Sequence, residues 1–199
     1  MINKSAWVFA ILYHLLALYL FFTGEIILVE TVMYSLLVIA GLLLVKFRNI
    51  PSSVIIFIGL SGLPHFFGLI PFQFDGRISS LYDDAFVIAN YDLLSHTIGF
   101  LLLTIGFLLY NKPKAQSILL IFLALLGIGA LIEISEFLGF VIFGVGKGWL
   151  MFGASDSSVH HGPWGDAMMD SISNLIGVSL GFVIYYLRPF FARFFYYFF

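Results

Sequence analysis

The sequence predicts an all-α, polytopic membrane bundle of about six transmembrane helices, with both termini on the cytoplasmic side. Three observations predict it. Only 10% of the 199 residues are charged, against 61% hydrophobic, and the mean hydropathy is +1.07; a soluble domain carries about a quarter charged residues. Six apolar runs recur along the chain, each near the roughly 20 residues that a helix needs to cross a hydrocarbon core about 30 Å thick. The basic residues between those runs gather on one side.

The first run, 6–23, follows Lys4 in the manner of a signal peptide. Phe21-Phe22-Thr23-Gly24-Glu25 supplies no small-x-small cleavage pattern, so an uncleaved first span is expected. His14, alone there among Leu and Tyr, is expected as a packed helix–helix contact. The second run covers 26–45. The third, 51–71, contains Gly62 and Pro64 and should kink there. His65, next to Pro64, is expected to hydrogen-bond a backbone carbonyl that the kink frees. The fourth run is 91–110, and the fifth, 117–143, is long enough to tilt or protrude. The sixth is 166–187. Short connectors at 46–50 and 111–116 make these runs antiparallel neighbours within a single transmembrane domain, 1–199. The segment from Gly144 to Gly165 is glycine-rich and expected as a solvated outer loop; its His160 and His161 are candidates to gate or complete a metal site. The aromatic tail, 188–199, is too short to span and should lie in the cytoplasmic interface.

Charge sets the orientation. Lys4, Lys46, Arg48, Lys112, Lys114, Arg188 and Arg193 fall on one side of the runs, and only Arg77 and Lys147 on the other. The seven therefore face the cytoplasm. None of the eleven acids lies in a cytoplasmic segment. Glu25, Glu30, Asp75, Asp83, Asp84 and Asp156 belong to outer loops or outer helix ends, and the other five lie within or at the edge of spans.

Those five carry the chemistry, because an ionisable group inside a membrane is costly unless it faces a paired or hydrated interior. Asp92 and His96 open the fourth run one turn apart, on one face. Glu133 and Glu136 form an i, i+3 pair in the fifth. Asp166, Asp170 and Asn174 make one stripe on the sixth, continued by Gly177 and Gly181, which permit close helix approach. Met168, Ile172, Leu175 and Ser179 lie opposite and suit lipid or neighbouring helices. Since the fourth and sixth runs enter from outside and the fifth leaves towards it, all these acids reach the outer half of the bundle, and His65 lies at a comparable level. Singly, Asp92 and Asp166 also fit interfacial caps, and Glu136 also fits a residue reaching the outer interface. Together they make one site. Five carboxylates with so few cations nearby require that some keep their protons or that a bound cation compensates. Carboxylates with imidazole suit a divalent Zn, Mn, Fe or Mg ion, and inward-facing Glu and His on bundle helices are how di-metal carboxylate sites are built. The candidate ligands are Asp92, His96, Glu133, Glu136, Asp166 and Asp170, with Glu133 and Asp170 as candidate catalytic bases.

Other chemistries are excluded or poorly matched. There is no cysteine, hence no disulfide, thiolate site or cysteine nucleophile. A net charge of −2 without a basic block offers no footprint for nucleic acid. Phosphate-loop, His-Glu-x2-His and Glu-Glu-x3-Arg patterns are absent. Ser155, Ser157 and Ser158 beside His160 do not by proximity make a triad.

Tyr91-Asp92-Leu93-Leu94-Ser95-His96, Glu133-x2-Glu136 and Gly165-Asp166-x3-Asp170-x3-Asn174-x2-Gly177 resemble the YjdF-like family of bacterial inner-membrane proteins. More distantly they are similar to VanZ-like proteins, which pair an Asp/His helix with a Glu-x2-Gln helix and a closing Asp-x3-Asn-x2-Gly helix. Here Glu136 stands where that pattern has Gln, and its arginine before the last helix has no counterpart. The match covers residues 91–181. It implies a multi-pass protein of a prokaryotic plasma membrane.

The leading expectation is a metal-dependent, hydrolytic membrane enzyme acting on a lipid-linked or envelope substrate from the outer side. The alternatives are an ion- or proton-coupled transporter with protonatable acids along its path, and a non-catalytic envelope assembly or immunity factor.

Overall fold

The computed structural model describes residues 3–24, 28–74, 77–81, 91–112, 117–143 and 157–198. Helix α1 (Lys4–Thr23) starts where the Asn3 side chain accepts from the Ser5 amide at 3.0 Å, a side-chain cap for an otherwise orphaned N–H. It stops at Gly24, whose left-handed backbone (φ 83°) turns its N–H back onto the carbonyls of Leu20 and Phe21. α2 (Leu28–Arg48) ends with Lys46 and Arg48 in its last turn, where cations suit the negative end of the helix dipole. The third expected span is two helices, α3 (Ser52–Ser61) and α4 (Leu63–Leu69), broken at Gly62. Pro64 sits in the first turn of α4, where its missing N–H is harmless. The kink is as the sequence predicts, and the Tyr91 hydroxyl donates to the Pro64 carbonyl at 2.7 Å.

A short antiparallel hairpin follows, β1 (Phe72–Phe74) and β2 (Arg77–Ser79), pairing Phe72 with Ser79 and Phe74 with Arg77. It is an unexpected addition to an all-α reading. Its signal was in the sequence: Asp75-Gly76 is a two-residue turn pair that favours such a hairpin. Then come α5 (Tyr91–Asn111), α6 (Ile118–Phe143) and α7 (Ser157–Phe198). α7 opens inside the segment expected to be loop and is interrupted only at Gly162, whose positive φ of 74° favours glycine. It then runs to Phe198, so the aromatic tail extends the last helix.

Among the described residues, five helical stretches are long and apolar enough to cross a membrane: Lys4–Thr23, Ser52–Leu69, Tyr91–Asn111, Ile118–Gly139 and Trp164–Phe190. The chain is a multi-pass membrane protein, and large apolar side chains such as Val8, Leu36, Leu119 and Val183 point outward, as lipid contact demands. α2 corresponds to the remaining expected span. Asn3 donates to Ser52 Oγ at 2.8 Å, and Gly59 and Gly62 face Phe9 and Tyr13, so α1 and α3 run parallel. The chain must return across the bundle between them, and α2 joins the two.

The same reasoning orders the rest. Ser61 lies against Gly99 and Ile58 against Gly106, so α3 and α5 are antiparallel. Thr97, Phe100 and Thr104 lie against Gly177 and Gly181 in rising order, so α5 and α7 are parallel. Gly129 of α6 touches both Phe100 and Asn174, and Leu125 packs with Val178, so α6 runs against both. Direction alternates along the chain. Lys4, Lys46, Arg48, Lys112 and Arg188 consequently share one end of the bundle, while the hairpin with Arg77 lies at the other.

α5 is the central helix, touching α3, α4, α6 and, most extensively, α7. That last contact is close because of two glycines. A Cβ at Gly181 would lie 2.6 Å from Thr104 Cβ, and one at Gly177 would meet the Thr97 carbonyl. Two apolar clusters flank the centre: Ala17, Leu20, Tyr34, Phe66, Leu69 and Tyr91 on one side, Phe100, Leu125 and Val178 on the other.

Candidate metal centre

The polar stripes of α5, α6 and α7 meet at one level. On α7, Asp166, Asp170 and Asn174 point inward and are 3%, 1% and 2% exposed, while Met168, Ile172 and Leu175 on the opposite face are exposed, as their spacing predicts. Glu133 of α6 is 4% exposed. Gly129, one turn earlier, leaves room for the α7 side chain beside it: a Cβ there would lie 3.1 Å from Asn174 Nδ2.

Asn174 organises the centre. Its amide nitrogen donates to Glu133 Oε1 at 2.8 Å, which turns its carbonyl oxygen to His96. His96 Nδ1 donates to that oxygen at 3.0 Å and lies 3.5 Å from Glu133 Oε1. With Nδ1 carrying the proton, Nε2 keeps its lone pair. Nε2 is 3.6 Å from Asp92 Oδ1, one turn earlier on α5. Glu133 Oε2 is buried without a hydrogen-bond partner among the described residues.

Two groups of potential ligands result. Asp92, His96 and Asp170 bring one ligand atom each to within 4.8 Å of one another, and so do Glu133, Glu136 and Asp170. Asp170 belongs to both. Five of the six ligands expected from the sequence therefore converge from three helices; Asp166, though buried, belongs to neither group.

The other histidines lie as follows. His65 Nε2 hydrogen-bonds with Tyr34 Oη at 3.3 Å, and His65 lines the same cavity as Asp92, His96 and Glu136. His14 Nδ1 donates to the Ala10 carbonyl of its own helix at 2.8 Å. His160 and His161 lie on the first turn of α7, not in a loop; their side chains, like residues 144–156, are outside the described part. Asn174 was visible in the acidic stripe, but its role in setting the His96 proton was not. A polar residue one turn after a buried acid, facing a histidine on another helix, is the signal for it.

A cavity of about 580 Å³ opens beside the acids, lined at its polar end by Asp92, His96, His65 and Glu136 and elsewhere by Phe66, Leu103, Ile132 and similar side chains. Comparison with known protein families, with curated proteins and with solved structures finds no match.

Proposed function

We propose that the chain is a divalent-metal-dependent, hydrolytic enzyme of a prokaryotic plasma membrane, acting from the outer side on a lipid-linked or envelope substrate. The observation that carries this reading is the pair of three-residue ligand groups sharing Asp170 at the junction of α5, α6 and α7. Glu133, Asp166 and Asp170 are buried, and buried carboxylates gathered at one level are stable next to a bound ion. Oxygen-rich ligation with one imidazole suits Zn, Mn, Fe or Mg.

His96 Nε2, Asp92 and Asp170 would hold an ion on the α5 side. Glu133, Glu136 and Asp170 offer a second position, with Asp170 between the two. A divalent ion supplies Lewis acidity and makes water acidic enough to attack at neutral pH. Glu133 Oε2 is suited to take up the proton, because Oε1 is already engaged by Asn174. The Asn174–His96 hydrogen bond keeps the imidazole in the tautomer that leaves Nε2 available.

The reading stands or falls on metal analysis. Purified full-length protein should carry at least about one divalent ion per chain, and Asp170→Asn should lose it while staying monodisperse and helical. Affinity should fall as pH is lowered, since carboxylates and imidazole bind metal only when deprotonated. Protein without an ion, showing no affinity that Asp170→Asn changes, would sink it. An ion-coupled carrier would need a polar path to the cytoplasmic end, where the neighbouring cavity is lined by Ala6, Phe9, Val45 and Ile55. A non-catalytic assembly factor would keep its function when the buried acids are replaced.

A further inference from the structure

The cavity beside the acids does not stand alone. A second one, about 470 Å³, lies between α1, α2 and α3, and the two share Tyr34, Leu37, Ser61, Gly62 and Phe66 in their walls. They adjoin across these residues and together make a groove with two different ends. At one end are Asp92, His96 and Glu136; at the other, towards the basic end of the bundle, are Ala6, Val45 and Ile50. Nearly everything between is apolar.

We propose that this groove holds one hydrocarbon chain of a phospholipid, with the phosphate group at the acid/His end and sideways access between α2 and α6. This rests on the metal reading above, since a phosphate meets these carboxylates favourably only across a cation. Three features identify the occupant. The groove lies within the membrane-spanning helices, and wall residues on both jambs, Leu37 of α2 and Leu131 of α6, are 61% and 68% exposed. It is therefore open to the lipid phase rather than to water. Its polar end is in the half of the bundle away from Lys46, Arg48 and Arg188, at the depth where an outer-leaflet headgroup reaches inward. Its depth fits too. The α2 wall from Tyr34 to Val45 rises about 17 Å at 1.5 Å per residue, close to the roughly 15 Å of one leaflet's hydrocarbon. That is the reach of an acyl chain, not of a long polyprenyl chain.

Gly41 provides the test. It lines the groove, and a Cβ there has nothing within 4 Å, so a larger side chain has room to enter it. Full-length protein is placed in phosphatidylcholine nanodiscs with a small fraction of phosphatidic acid bearing a mid-chain diazirine, then irradiated and mapped by mass spectrometry. Adducts should concentrate on groove residues such as Leu37, Val38 and Ile58 over Leu120, an outward residue of α6. Gly41→Phe should lower the groove adducts about tenfold, the effect of expelling roughly two methylenes from apolar contact, with its ion content unchanged. Val38→Trp is the second variant should Gly41→Phe not fold. Chelation should reduce labelling by the phosphatidic acid probe to that of a diacylglycerol probe without the phosphate. Labelling spread evenly over groove and exterior, or insensitive to both variants, overturns the proposal, as does preferential labelling by a polyprenyl phosphate probe. A failure of the metal reading looks different: no ion in the wild type, groove labelling intact, and no preference for the phosphate-bearing probe.

Discussion

At the scale of residues, Asn174 matters as much as the acids it joins. It bonds to Glu133 and His96 at once, and each of those depends on it: His96 for its tautomer, Glu133 for the orientation that leaves Oε2 open. Loss of a hydrogen bond that orients a metal ligand costs about 10–100-fold in metal affinity. Asn174→Ala should show that loss by calorimetric titration with the bound ion, at unchanged helical content by circular dichroism. The acidic stripe was legible from spacing because a period of 3.6 puts residues four apart on one face. The His96–Asn174 bond was not, because it joins residues 78 apart, and spacing within one helix says nothing about which face of another it meets. The same limit hid His65, whose partner Tyr34 belongs to a different helix.

Among the elements, the α5–α7 seam decides whether the site forms. Both helices run the same way and are drawn together by Gly177 and Gly181, so His96 on one lies opposite Asn174 on the other. A Leu at position 181 must displace the Thr104 side chain or the Leu101 carbonyl, and over-packing of that kind costs about 1–3 kcal/mol. Gly181→Leu should lower the thermal unfolding midpoint in detergent and weaken metal binding with it. Gly41→Ala, into open space, should leave both unchanged. Helix existence, the kink at Gly62 and this glycine seam were all legible, since each follows from local composition. The start of α7 at Ser157 was not: glycine-rich segments read as loop, and five residues of helix before the break at Gly162 leave little periodicity to detect. The hairpin is similar, its strands of three residues being too short for alternation to stand out.

For the whole molecule, topology rests on two independent kinds of fact. The charges place seven of nine basic residues on one side, and the alternating helix directions bring the described ones among them to a common end. Chain polarity relative to the membrane is directly measurable, because the protein has no cysteine. Single-cysteine variants at Ile78, exposed on the hairpin, and at Asn111, exposed at the end of α5, should behave oppositely towards a membrane-impermeant maleimide. Ile78→Cys should react in intact cells, and Asn111→Cys only after permeabilisation. The reverse pattern would invert the orientation and move the site to the cytoplasmic half.

The position of Asp166, Asp170 and Asn174 on the final span has a consequence in time as well as in space. During synthesis α5 and α6 enter the bilayer first, bringing Asp92, His96, Glu133 and Glu136 before Asn174 exists to receive two of them. Until the last helix joins the seam, those ionisable groups lack the interior that it completes. The last helix to be made is therefore the one that completes the cluster of Asp92, His96, Glu133, Glu136 and Asp170.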